Sequence, residues 1–285
     1  MMENQVGPPS NTVANAYYYR SLRATALLAG ALKNTEKASS LNLRADKMAA
    51  VFQKKFFDRA RKLYIDGEGS DHASLHANMF PLAFGLVPAE FQSYVADFVE
   101  SRGMACSVYG AQFLLEALYE SGRPEAALAL MTAKTERSWS HMIDLGSTMT
   151  LEAWDEKVKP NLTWNHAWGT APANIISRYL LGVRPLTPGY GKMIIEPQPA
   201  GLIWINGKVP TPHGPVEVSY RNRELEVTIP DGTVADIVLT RMSFPGDSVL
   251  INDQPASVVS EAKFRAIRDL ASGYYRITFP AEKHR

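Results

Sequence analysis

Cysteine is nearly absent from this chain. Cys106 stands alone among 285 residues, which excludes an internal disulfide and a cysteine-built zinc site. Excess charge is absent too: 30 Lys and Arg meet 29 Asp and Glu, so no basic face is implied for counterion-driven nucleic-acid binding. No apolar run approaches the roughly 18–20 residues of a membrane span. The first residues, MMENQVGPPSN, lack the basic and apolar regions of a signal peptide, and the compartment stays open. No Walker A or G-x-G-x-x-G run occurs, so a phosphate-cradling cofactor site has no support. What remains is an ordinary globular mixture, 46% hydrophobic and 21% charged, with material for one large domain or two ordinary ones.

The chain changes period near Val183. Before it, Pro8-Pro9-Ser10-Asn11 reads as a stop followed by an N-cap. Val13, Ala16, Tyr17, Ala24, Leu27, Leu28 and Ala31 then recur at helical spacing. A second stripe runs Leu41, Ala45, Met48, Phe52, Phe56, and Lys62–Ile65 reads as a short extended piece. Further helices are expected at 73–85, 89–101, 107–121, 124–134 and 166–181, the last ending at Gly182. From 184 onward lie 11 of the 18 prolines, and the segments become short and alternating. They are Met193–Ile195, Leu202–Ile205, Pro215–Tyr220, Leu225–Ile229, Ala235–Thr240, Ser248–Ile251 and Tyr274–Phe279. Arg221-Asn222-Arg223 reads as a hairpin turn. The expectation is a helical array of about seven helices over 1–183, then an antiparallel β-sandwich over 184–285.

Tryptophan points to the chemistry. Four of five, Trp139, Trp154, Trp164 and Trp168, fall within 30 residues that also hold His141, Asp144, Glu152, Asp155, Glu156 and His166. Indole faces beside carboxylates suit a sugar, whose C–H face stacks while its hydroxyl rim needs oriented polar groups. The same tryptophans serve equally well as a core contact between helices. Glu152, in T-L-E-A-W ahead of a charged loop, is placed to activate water as a general base; a solvated or salt-bridged glutamate is the commoner fate. Asp155 and Glu156 read as that commoner kind. His166 stands at a helix start, where the dipole favours neutral imidazole able to bond a sugar hydroxyl; a capping or core histidine fits as well. His72 and His76 share a helix face but lack the glutamate of H-E-x-x-H and a third ligand, so no metal is expected. Cys106 reads as a small core residue, and Asn161-Leu162-Thr163 matches a glycosylation sequon by pattern alone.

The run S-W-S-H-M-I-D-L-G-S-T-M-T-L-E-A-W-D resembles the end of the helical domain in bacterial α-L-rhamnosidases, glycoside hydrolase family seventy-eight. N-H-A-W-G-T-A-P-A-N-I-I-S-R-Y-L-L-G-V-R-P resembles the segment that follows there. P-G-Y-G-K-M-I-I-E-P-Q-P and V-P-T-P-H-G-P-V-E-V-S-Y resemble the family's C-terminal β-sandwich. The resemblance spans nearly the whole chain. It implies a partial (α/α)6 barrel followed by the sandwich, inverting hydrolysis of terminal α-L-rhamnose, a rhamnose-containing glycan or glycoside as partner, and no cofactor. It places Glu152 on the general base, His166 on the substrate-binding histidine and Trp154 on the aromatic two residues after the base. Trp168 joins the candidate sugar contacts. Leu151 replaces the usual Trp before the base, so stacking there is expected to differ. The family's general acid has no counterpart at residues 1–70, where Asp66, Glu68 and Asp71 do not match its motif. The chain therefore reads as a C-terminal portion carrying half of an acid–base pair. Alternatives are a non-catalytic carbohydrate-binding protein, or an interaction module completing a barrel whose N-terminal half another polypeptide supplies.

Overall fold

The computed structural model describes residues 10–279 except Asp247; Pro8 and Pro9 of the expected stop lie outside this range. Contacts divide the chain between Ala171 and Pro172. The first unit is helical: α1 (Thr12–Ala31), α2 (Thr35–Phe56), α3 (Leu75–Ala83), α4 (Gln92–Ser101), α5 (Val108–Glu120), α6 (Pro124–Met131) and α7 (Trp139–Asp144). Six of these seven starts have a local cause. The side chains of Asn11, Asn34, Ser74, Ser107 and Ser138 accept from the backbone N–H three residues on, at 3.0–3.1 Å, and so satisfy a donor the helix leaves over. Pro124 opens α6, where its missing N–H costs nothing. A two-stranded ribbon, β1 (Phe57–Asp58) with β2 (Leu63–Tyr64), follows α2. Among the described residues no helix is long and apolar enough to cross a membrane.

The buried side of α1 is not the stripe read from the sequence. It consists of Thr12, Ala16, Tyr19, Leu22, Ala26 and Ala29, whereas Leu27 and Leu28 are 75% and 65% exposed. α1 packs on α2, and Arg23 ties the pair by bonding Asn42 at 2.9 Å and Asp46 at 2.5 Å. Where a helix is apolar on several sides, the partner helix selects the packed one. Tyr17 instead joins an aromatic cluster with Phe80, Phe84 and Phe113, centroids 4.9–5.6 Å apart.

The second unit begins with the end of α8 (Ala171–Ile175), continued by a π-helical turn, Ile176–Leu180. That turn belongs with the strands because its carbonyls are used there: Gln198 N–H donates to Tyr179 O at 3.1 Å and Arg184 to Arg178 O at 2.8 Å. One sheet has five strands in the order β11 (Val259–Ser260), β12 (Phe264–Leu270), β8 (Val234–Thr240), β4 (Lys192–Ile195), β3 (Val183–Pro185). The other has six: β10 (Gln254–Pro255), β9 (Leu250–Ile251), β13 (Gly273–Thr278), β7 (Glu224–Ile229), β6 (Val216–Arg221), β5 (Trp204–Val209). Together they form a β-sandwich, antiparallel except for the parallel pair β4–β8. The hairpin at Asn222 and Arg223 holds both residues at φ 52° and 67°, as a primed two-residue turn requires. Its strands bury Val216, Val218, Leu225, Val227 and Ile229 on the inner face.

Candidate functional site

Every expected site residue falls in the loop region after α7, within the first unit. Two short backbone bridges fold this segment back on itself. Glu152 N–H donates to Thr163 O at 3.0 Å, and His166 N–H donates to Thr150 O at 2.8 Å. The Thr150 hydroxyl returns a bond to His166 O at 2.7 Å. Residues eleven and sixteen apart are thereby held side by side.

The side chains converge on the same place. Lys159 Nζ lies 2.5 Å from Oε1 of Glu152, and the Thr163 N–H donates to Oε2 at 3.0 Å. The Thr163 hydroxyl is 2.6 Å from Nδ1 of His166 and 3.5 Å from Glu152 Oε2; the short contact dominates. The Lys159 ammonium, then the Thr163 N–H, hold the Glu152 carboxyl below its ordinary range against a smaller opposing effect of burial. His166 lies against Trp168 with centroids 4.0 Å apart and planes tilted by 39°, and Trp168 meets Tyr109 of α5 at 5.6 Å. Trp168 is 46% exposed, so this aromatic group reaches solvent.

The remaining tryptophans play other parts. Trp154 is 3% exposed, donates its indole N–H to Cys106 O at 2.8 Å and packs edge-on against Trp139 at 5.2 Å. It offers no ring to solvent and supports the loop from beneath. Trp139 donates to Gly169 O at 2.7 Å. Leu151 is fully buried, so the residue before Glu152 fills core rather than stacking on a ligand. Trp164 donates to Glu156 Oε1 at 2.9 Å, and Glu156 stays exposed, the commoner fate expected of it. Asp155 is nearly buried and pairs with His141 at 2.8 Å. The Lys157 N–H and then His141 keep its carboxyl below the usual range.

His166 does not open an α-helix. It precedes a 3₁₀ turn, Ala167–Gly169, and α8 starts only at Ala171. The Thr163 hydroxyl, not a helix dipole, fixes its imidazole. Lys159, Thr163 and Tyr109 were the residues missed as site members. The spacing T-x-x-H was visible, but no periodic pattern marks a loop lysine folding back on a glutamate. Elsewhere, His72 pairs with Asp66 at 2.6 Å, while burial lowers the pKa of the His76 imidazole. Burial also pushes the Cys106 thiol up to about 12, as suits a core cysteine. Among the described residues no three His, Cys, Asp or Glu gather as a metal site.

Comparison with known proteins supplies the relatives. An α-L-rhamnosidase of Alteromonas sp. (strain LOR) is 30% identical over 249 residues, 79% of this chain and 26% of that protein. One from Streptomyces avermitilis is 26% identical over 250 residues, 80% of this chain and 23% of the other. The chain thus spans about a quarter of the length of the curated relatives it matches. In fold it is similar to the α-L-rhamnosidase of Dictyoglumus thermophilum, TM-score 0.79 at 22% identity, covering 93% of this chain and 31% of that one. It is also similar to the Streptomyces avermitilis α-L-rhamnosidase complexed with L-rhamnose, TM-score 0.76 at 21% identity, covering 97% and 28%. Residues 182–244 match the bacterial alpha-L-rhamnosidase C-terminal domain. Residues 2–180 match the bacterial alpha-L-rhamnosidase 6 hairpin glycosidase domain, and the chain belongs to that family.

Proposed function

We propose that this chain carries the water-activating side of an inverting α-L-rhamnosidase, with the chemistry in 1–183 and the β-sandwich in 184–285. The supporting observation is the grouping of Glu152, Thr163 and His166 beside the exposed ring of Trp168. In this reading the rhamnose C–H face lies on Trp168 and a ring hydroxyl bonds His166. Glu152 takes the proton of a water that attacks the anomeric carbon opposite the leaving group. A general acid, supplied from outside residues 1–285, protonates the departing glycosidic oxygen. Carboxyl separations of about 6.5–9.5 Å leave room for that water. The substrate is a terminal α-L-rhamnoside of a glycan or glycoside.

A second reading has one observation in its favour. Both Glu152 oxygens already have partners, Lys159 and Thr163, so the glutamate serves as a loop clamp in a protein that binds rhamnose without cleaving it. Kinetics on an enzyme containing this segment separate the two. As the base, Glu152→Gln keeps shape but cannot accept a proton, and turnover falls about 10²–10⁴-fold with little change in rhamnose binding. Glu156→Gln, whose amide oxygen still accepts from Trp164, stays near wild type. Wild-type turnover by Glu152→Gln rules the base assignment out. The 285-residue chain alone should barely hydrolyse p-nitrophenyl α-L-rhamnoside; robust turnover would place the acid within it, with Asp66, Glu68 and Asp71 the first to test.

A further inference from the structure

The fifth tryptophan lies far along the chain from the others, on the edge strand β5 of the sandwich. Trp204 is 58% exposed and borders a groove of about 340 Å³ lined by Trp204, Ile205, Asn206, Ser219, Tyr220 and Arg221. That volume is at the low end of small-molecule sites. Strand register places the lining. Trp204 pairs with Arg221 and Asn206 with Ser219, so these four side chains share the outer face, while Ile205 is buried on the other. Cross-strand neighbours are about 5 Å apart and alternate residues along a strand about 7 Å apart. The four therefore frame a patch the size of one pyranose ring.

Chemistry narrows the occupant. Among the described residues the side chains of Arg221, Asn206 and Ser219 make no hydrogen bond or ion pair with protein. The neighbouring charges are already engaged: Glu224, next across the sheet from Arg221, lies 3.8 Å from Arg276, and Glu226 accepts from Tyr274 at 2.5 Å. An exposed indole stacks on the C–H face of a sugar. A guanidinium without a partner, one residue across the ladder, complements a carboxylate.

We propose that this groove binds an acidic pyranose, its ring face on Trp204, its carboxylate on Arg221 and its hydroxyls on Asn206 and Ser219. The site does not rest on the reading of Glu152 and would serve to hold an acidic glycan on the sandwich. Calorimetric titration of the 285-residue chain with digalacturonic acid tests it. Saturable binding is expected, weakening at least tenfold in Trp204→Ala and in Arg221→Gln, falling as salt rises, and unchanged in Glu152→Gln. Both substituted residues are exposed, so unaltered melting curves should accompany the loss. No saturable heat from the wild-type chain overturns the proposal, as does equal binding by Trp204→Ala. Equal affinity for the methyl ester of the same disaccharide overturns the acidic class.

Discussion

Lys159 reaches back across its own loop to set its Nζ 2.5 Å from Oε1 of Glu152, so the carboxylate is oriented by a residue seven positions later. The loop that carries Lys159 is itself anchored, since its N–H donates to Asp155 O at 3.2 Å and Asp155 is held by His141. The orientation of the candidate base is thus a property of residues 152–163 as a folded unit.

Replacing Lys159 by Met should raise the Glu152 pKa toward the ordinary glutamate value of about 4.3, because the largest cause of its lowering is removed. A carboxyl whose folded pKa is depressed contributes stability that is present above the unfolded pKa and lost as pH falls through the folded one. The variant should therefore lose less stability than wild type on acidification below about pH 4. Carbon-13 titration of the Glu152 carboxyl reads the shift directly. Identical titration curves would mean that the ion pair is not populated in solution.

Thr163→Val keeps the side-chain shape and the N–H to Glu152 while removing the hydroxyl that meets Nδ1 of His166 at 2.6 Å. Rhamnose affinity in an enzyme carrying this segment should fall by about 1 kcal/mol, roughly fivefold, and Thr163→Ser should restore it. The Glu152 titration should hardly move. A Val variant that binds rhamnose as wild type would remove His166 orientation from the mechanism.

Acid should unfold the chain through a small set of carboxylates. Burial pushes Asp66 and Asp236 up, but the hydrogen bonds from His72 and Ser74 to the first, and from the Asp269 N–H, Arg268 and Lys192 to the second, outweigh it and leave both below the usual range. Their contribution is complete above about pH 4 and disappears as pH falls through their folded values. Asp236→Asn should therefore flatten the acid limb of the stability curve measured by denaturant titration at successive pH values. An unchanged acid limb would assign acid sensitivity elsewhere.

How much of this was legible follows from where local physics decides. Asn11 as a cap, Gly182 as a helix stop, the Asn222-Arg223 turn and the alternation of 225–229 are short-range choices, and they stand in the structure as read. The buried face of α1 was misread because several apolar stripes compete and only the partner helix chooses. Strand β12 was missed because Arg265, fully buried and bonded to Phe244 O, breaks its apolar alternation. In the candidate site, residue types suggested a sugar-directed chemistry, but which tryptophan faces solvent depends on tertiary packing: Trp154 turns inward to Cys106 while Trp168 turns out.

Gly182→Ala should be among the most damaging single-methyl additions. Gly182 has φ +78°, and a Cβ there would meet the Glu196 carbonyl carbon and oxygen at 2.1 Å. These are backbone atoms, tied to Gly182 itself by the Glu196 N–H bond to its carbonyl at 2.9 Å. Gly122→Ala is the control, with φ +73° but nothing within 4 Å, so only the left-handed strain of about 1–2 kcal/mol applies. The Gly182 variant should lose at least about 3 kcal/mol, lowering Tm two- to threefold more than the control. Equal losses would show that the strand relaxes around the added methyl.

Leu27, Leu28 and Leu32 are 75%, 65% and 81% exposed at the C-terminal end of α1, and Leu43 and Val51 of α2 are 56% and 48% exposed. Full burial of one leucine stabilises an association by about 1.5–3 kcal/mol, so three exposed leucines at one helix end favour assembly. The 285-residue chain should therefore self-associate at micromolar concentration. Leu28→Glu with Leu32→Glu adds two charges to that end without touching the buried residues Ala26 and Ala29, so folding should be unaffected while the scattering mass drops toward a single chain. Glutamate at Thr25, also exposed but polar, is the control and should leave the mass unchanged. A monodisperse wild-type monomer in light scattering would show that these leucines are tolerated by solvent, and the same apparent mass in the double variant would move the association surface elsewhere.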